Sequence, residues 1–208
     1  MGTGRALQIM VRNPVAGRVK TRLAAEIGAT GALTVYQHLL DHVLDIAAQL
    51  DACSPTVWVD NQPLHQNLRT ALHKRGLAYA FQEPGDLGQR MHQAITHGLQ
   101  DAHEVVLIGS DCPQYSADYL RAAFDLLQDH DVVLGPATDG GYVLIGARRE
   151  CPDVFAGMPW SHPGLLAATR NRLRQLDLGY AEMQALHDID CAEDLERFPA
   201  YRATVYPA

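Results

Sequence analysis

One run constrains this chain more than any other: Val105-Val106-Leu107-Ile108, introduced by Glu104 and followed by Gly109-Ser110-Asp111-Cys112-Pro113. Consecutive apolar residues, mostly β-branched, leave no polar face for solvent. Such a run reads as a strand buried on both sides, as in parallel sheets. In open α/β sheets ligands gather beyond the carboxyl ends of the strands, so Ser110 and Asp111 fall where chemistry is expected. A carboxylate there suits a hard cation, Mg²⁺ or Mn²⁺, held by one or two carboxylates together with phosphate oxygens. The competing role for Asp111 is turn former or helix cap. Ser116 is better placed to cap the next helix, which leaves Asp111 free.

The rest of the chain fits around that strand. Residues 6–11, 55–59 and 77–81 read as further strands, separated by helical patterns over 23–27, 31–50 and 64–74. Gly28 and Gly76 act as stops. A helix over 87–99 precedes the central strand and another, to about 127, follows it. Strands over 132–135 and 142–146 flank the turn Thr138-Asp139-Gly140-Gly141. A helix over 164–176, a weaker strand over 180–186 and a short helix over 192–198 complete the chain. The expected fold is a single-domain three-layer α/β/α sandwich with a mainly parallel sheet and a mixed C-terminal part. The nucleotide-binding part would be about 1–113, and the acceptor and second metal part about 114–208.

Bulk properties narrow the function classes. The 208 residues, 47% hydrophobic and 20% charged, suit one soluble globular core. A net charge of -7 and a pI near 5.7 argue against duplex nucleic acid as the main partner. The N-terminal apolar run is too short for a signal peptide, and no run is long enough to span a membrane. Cys53, Cys112, Cys151 and Cys191 are widely spaced, which suits reduced thiols in a cytoplasmic protein. There is no G-x-S-x-G elbow and no H-E-x-x-H helix.

Several other segments carry polar groups to strand ends. The first loop holds Pro14, Gly17, Arg18, Lys20 and Arg22 ahead of a helix, a combination suited to binding an anion. It is neither a Walker A loop nor G-x-G-x-x-G, and a solvated basic loop is the bland alternative. Gly85, Gly88 and Arg90 enter a helix and offer a second anion contact. Asp139-Gly140-Gly141-Tyr142 is either a ligand-approaching turn or a plain hairpin. Trp160 and Ser161 lie in a short loop with His162, where Trp160 is either packing or a substrate platform. In His187-Asp188-Ile189-Asp190 an extended backbone puts both carboxylates on one face. Asp190 also begins a capping-box pattern with Glu193, so spacing leaves the choice between Asp188 and Asp190 open.

Together the motifs at Pro14–Leu23, Gly85–Met91, Gly109–Pro113, Gly135–Tyr142, Trp160-Ser161 and Asp188–Leu195 resemble the DUF2064 group of bacterial glycosyltransferase-like proteins. That group has the glycosyltransferase-A fold and is similar to phospholactate guanylyltransferases and molybdenum-cofactor nucleotidyltransferases. The resemblance implies a nucleotide over the N-terminal half of the sheet, with the basic loop near its phosphates. It implies metal contacts from Asp111 and from Asp190, the latter against the cap reading. Asp111 is followed by Cys112-Pro113 and not by a second aspartate two positions on. This is a departure from the D-x-D of many sugar transferases that is closer to the nucleotidyltransferase branch, and His162 stands where the group often has Thr. Three functions follow as expectations. The first is a metal-dependent transferase using a nucleotide-diphospho-sugar, with Lys20, Arg22, Asp111 and Asp139 in the chemistry. The second is a nucleotidyltransferase that releases pyrophosphate from an NTP onto a phosphorylated acceptor, favoured by the cations of the first loop. The third is a non-catalytic nucleotide-binding protein.

Overall fold

The computed structural model describes residues 4–206. Its elements, in chain order, are β1 (Arg5–Val11), α1 (Thr21–Ala48), β2 (Cys53–Val59), α2 (Gln66–Arg75), β3 (Ala78–Phe81), α3 (Leu87–Leu99) and β4 (Glu104–Ile108). There follow α4 (Ala117–Leu127), β5 (Val132–Pro136), β6 (Tyr142–Ala147), α5 (Leu165–Gln175), β7 (Tyr180–Glu182), α6 (Ala192–Arg197) and α7 (Pro199–Arg202). The strands form one seven-stranded sheet in the order β3-β2-β1-β4-β6-β5-β7. Pairings are parallel except those of β6, which runs antiparallel to both β4 and β5. The expected mainly parallel sheet with a mixed C-terminal part is what forms.

The central strand is covered on both faces. Val106 and Ile108 enter one core with Leu7 and Ile9 of β1 and the apolar stripes of α1, α2 and α4. Val105 and Leu107 enter the other, against Met91 and Ile95 of α3 and Leu166 and Leu173 of α5. Alternation of side chains along a strand therefore feeds two apolar layers, which is why the run carries no polar residue. A third, smaller cluster joins Leu23, Val35 and Leu39 of α1 to Ile189 and Leu195.

Most boundaries fall within one or two residues of expectation, and the short α7 is additional; two further differences concern Gly28 and the last strand. The helices read separately on either side of Gly28 follow one another directly, broken only at Gly28 (φ 80°, ψ 157°). The last strand ends at Glu182 and not at residue 186, leaving a single further bridge between Ala137 and Leu186. The Tyr119 hydroxyl takes the Gln184 carbonyl at 3.0 Å, so that carbonyl is bonded outside the ladder. Among the described residues no helix is long and apolar enough to cross a membrane.

Candidate functional site

Beyond β1 the chain turns at a buried polar anchor. Asn13 is 4% exposed; its backbone N–H donates to Asp60 and its side-chain amide donates to Asn61 and to the Pro63 carbonyl. The Asn13 side-chain oxygen Oδ1 accepts from the His65 backbone N–H. These bonds tie the β1 and β2 loops together. Tyr36 of α1 accepts from the Arg12 N–H and donates to the Arg12 carbonyl, while Ser110 donates to the Tyr36 hydroxyl at 3.3 Å. Ser110 is thus buried beneath the loop, one bond removed from its backbone. Pro14 is buried as well, whereas Gly17 (φ 77°) and Arg18 are exposed. Neither Asn13 nor Tyr36 stood out in the sequence, because a buried asparagine and a helical tyrosine carry no local signature.

The loop delivers Lys20, which ends it in a left-handed conformation (φ 47°, ψ 49°) just before α1. Its ammonium Nζ is 2.8 Å from Asp111 Oδ1 and 3.2 Å from Asp190 Oδ1, and its side chain is only 3% exposed. Burial pulls the Lys20 pKa down, but the attraction of Asp111 and Asp190 more than reverses this and holds it above the ordinary value. Arg22 approaches the other Asp190 oxygen at 3.5 Å from a largely solvated position. Asp111 and Asp190 meet because the Ile189 N–H donates to the Asp111 carbonyl at 3.1 Å and the Ile189 side chain is fully buried. With Ile189 turned inward, Asp188 and Asp190 face the same side.

Asp190 is not the cap its sequence suggests. The N-cap of α6 is Cys191, and the reciprocal carboxylate is Asp194, which accepts from the backbone N–H groups of Asp190 and Cys191 at 2.8 and 2.9 Å. The capping pattern is shifted by one residue, and the Asp190 side chain is left for Lys20 and Arg22. Asp188 is half-buried. Burial first, then the charges of Asp190 and Asp139, push its carboxyl up to about 6.

Asp139, Asp188 and Asp190 line a cleft of about 310 Å³ together with Arg22, His187 and Arg197. On its wall the Thr138 hydroxyl lies 2.8 Å from His187 Nδ1. Asp139 Oδ1 accepts from the Gly141 N–H, so the hairpin role and a cleft-lining role coexist in one residue. Gly140 (φ 93°) closes that turn against the next loop: a Cβ there would lie 2.1 Å from the Pro163 carbonyl oxygen. The Leu166 N–H donates to the Gly140 carbonyl. Gly140→Ala combines a backbone clash with a left-handed alanine and should cost about 3 kcal/mol or more. Thermal unfolding should report a midpoint lowered by roughly 6–12 °C; an unchanged midpoint would contradict the packing described.

The remaining sequence candidates divide between scaffold and surface. Asp86 caps α3 in a reciprocal box with Gln89, and the Arg90 guanidinium donates to the Gly85 carbonyl at 2.9 Å. Gly88 permits close packing, since a Cβ would lie 2.4 Å from the Trp160 ring. Trp160 packs on the core shared with α3 and α5, and its buried indole N–H has no hydrogen-bond partner among the described residues. Ser161 is exposed in a left-handed conformation. The Tyr142 phenol is directed inward, where burial raises its pKa and Thr169 is its hydrogen-bond partner. Arg197 escaped the sequence reading, and Thr138 and Asp194 lay inside motifs that the sequence showed without marking either of them as cleft-lining.

The donor chemistry fits a hard divalent cation. Asp111 and Asp190 bring carboxylate oxygens to one point, and Asp188 adds a third carboxylate on the same face as Asp190, its pKa raised first by burial and then by the charges of Asp190 and Asp139. Among the described residues no three His, Cys, Asp or Glu side chains converge closely enough to hold an ion unaided. Two carboxylates with phosphate oxygens are a usual magnesium arrangement. Cys112, 2% exposed, has its thiol pushed up to about 12 chiefly by burial, which removes it as a nucleophile.

The profile of one protein family, "Uncharacterized protein conserved in bacteria (DUF2064)", matches residues 43–162, more than half of the chain. The chain belongs to the DUF2064 family. The match includes Asp111 and Asp139 but lies between the basic loop and Asp188-Ile189-Asp190, so it leaves Lys20 and Asp190 outside. Among solved structures, this DUF2064 protein is similar to a candidate nucleotide-diphospho-sugar transferase from Desulfovibrio desulfuricans G20. The two share 31% identity and a TM-score of 0.83, over 92% of this chain and 84% of that one. The fold extends to 4-diphosphocytidyl-2C-methyl-D-erythritol synthase from Anaerococcus prevotii DSM 20548 (10% identity, TM-score 0.62, 96% of each chain). It extends also to glucosyl-3-phosphoglycerate synthase from Mycobacterium tuberculosis, solved with Mn²⁺, UDP and glucosyl-3-phosphoglycerate (11% identity, TM-score 0.55, 97% of this chain and 78% of that one). The fold is that of the nucleotide-diphospho-sugar transferases. No curated protein sequence matches the chain.

Proposed function

We propose that this protein is a metal-dependent transferase whose donor is a nucleotide-diphospho-sugar. The observation that carries the reading is the meeting of Asp111, Asp190 and Lys20 beyond the carboxyl end of β4, beside an acidic cleft. Likeness to the Desulfovibrio protein supports the donor class, and Mn²⁺ and UDP in a protein of the same fold support the metal. A divalent cation held by Asp111 and Asp190, with Asp188 beside them, supplies charge neutralisation at a diphosphate leaving group, a contribution of several kcal/mol. Lys20 and Arg22 add positive charge against the same phosphates. The exposed Gly17-Arg18 stretch gives the donor a place beside α1, and Arg90 completes the nucleotide side. Asp139 lines the same cleft and orients a hydroxyl of the sugar or acceptor. The nucleotide therefore occupies the part formed by residues 1–113, and the acceptor the part formed by 114–208. Four free cysteines fit a reducing, cytoplasmic setting.

Thermal unfolding with Mg²⁺ or Mn²⁺ and a panel of sugar nucleotides and NTPs tests the reading. A matching sugar nucleotide at about 100 times its Kd should stabilise by about 2.7 kcal/mol. For a chain of this size that is a rise of roughly 5–10 °C. A rise with GTP or CTP and with no sugar nucleotide would replace the reading with nucleotidyl transfer. The concentration of Arg18, Lys20 and Arg22 in one loop favours that second reading, because a triphosphate tail carries more charge than a diphosphate. No rise with any nucleotide would refute both.

A further inference from the structure

We infer that Lys20 is an internal counter-cation that keeps divalent metal off Asp111 and Asp190 in the free protein, so that metal enters with an anionic nucleotide. The inference rests on the transferase reading above and concerns the order in which that site fills. Both carboxylates are accessible, with side chains 49% and 41% exposed, yet their facing Oδ1 atoms are bonded to an ammonium that solvent scarcely reaches. An ion taking those oxygens would be forced against a like charge at contact distance, where repulsion is least screened. No alternative trio of ligands exists among the described residues to bypass the pair.

What releases the block is equally local. Lys20 immediately precedes α1, whose first turn has no acidic residue and whose N-terminus has no side-chain cap. A diphosphate arriving at the loop meets the exposed Arg18 and Arg22 side chains and offers Nζ a new anionic partner. Asp111 and Asp190 are then free for the cation that the phosphates bring. Arg22 does not impose the same block: it is 75% exposed and touches Asp190 only at 3.5 Å.

The experiment is Mn²⁺ binding to the full chain, followed by electron paramagnetic resonance of the free ion, for the wild type, K20Q, K20R and D111N. With Mn²⁺ alone, K20Q should bind about tenfold tighter than the wild type, the scale of one like charge removed at contact distance. K20R should match the wild type. A gain in K20Q of less than about threefold on that same scale overturns the inference, and any larger gain supports it. Should K20Q not fold, the wild type decides: Mn²⁺ bound alone as tightly as with UDP or CTP, and lost in D111N, overturns the inference. Weaker binding without nucleotide supports it. The two readings fail separately. If no nucleotide tightens Mn²⁺ on any variant while K20Q gains, the transferase reading falls, and with it the entry of metal with nucleotide, while the block by Lys20 stands. If nucleotides tighten Mn²⁺ on the wild type while K20Q gains nothing, the reverse holds.

Discussion

Asp111→Asn should lower turnover of the donor by about 10³-fold while leaving a folded protein. The loss of several kcal/mol of leaving-group stabilisation, at 1.36 kcal/mol per tenfold in rate, sets that scale. Asparagine keeps the shape of the side chain and removes its charge, so a failure of packing would not account for the loss. Lys20 keeps Asp190 as a partner, so the buried ammonium is not stranded. Breaking a buried pair outright costs about 3–5 kcal/mol; retaining one partner should limit the cost to about 1–2 kcal/mol, a midpoint lowered by roughly 2–8 °C. Steady-state kinetics on the donor found by the unfolding screen, run beside thermal unfolding, separate the two effects. Turnover within tenfold of the wild type would remove Asp111 from the chemistry.

How far the sequence reached depended on whether its signals were local. The Val105–Ile108 run announced a strand buried on both sides because periodicity and composition are properties of neighbours. The capping serine at 116 was equally readable, and its side chain does accept from the Tyr119 N–H. The last strand was overextended because residues 180–186 hold no Gly or Pro to mark an earlier end, while the Tyr119 hydroxyl that bonds the Gln184 carbonyl comes from far away in the chain. Asp190 was ambiguous for a related reason: two overlapping carboxylate patterns differ by one residue, and only the Asp194 contacts show which one caps α6.

The centre of the site lay furthest from what spacing can show. Lys20 and Asp190 are 170 positions apart and meet through three separate events. The first loop is pinned by Asn13 and Tyr36, Lys20 adopts a left-handed backbone, and Ile189 docks on Asp111. Each event is a tertiary consequence, and none changes the pattern of the sequence around it. The residues were legible as charged groups at strand ends; the ion pair between them was not.

The same concentration of charge predicts that one substitution will make the protein more stable. Asp188→Asn should raise the stability of the protein at pH 8 in the presence of a chelator. Burial and the charges of Asp190 and Asp139 place the Asp188 carboxyl at about 6 in the fold, against about 3.9 in an unfolded chain. Because the folded pKa is the higher one, the folded state binds the extra proton between those values. The stabilisation that protonation confers is complete below about pH 4 and is lost as pH rises through 6. A shift of about two units corresponds to roughly 3 kcal/mol, and the partial exposure of the cleft should reduce this to about 1–2 kcal/mol. Asparagine carries no charge at any of these pH values, so its advantage should be present at pH 8 and absent near pH 4. Denaturant unfolding of both proteins at the two pH values checks this, the wild type losing ground to the variant only on the alkaline side. Equal stabilities at pH 8 would mean that Asp188 is ionised in the fold without penalty and that no uncompensated charge awaits a cation there.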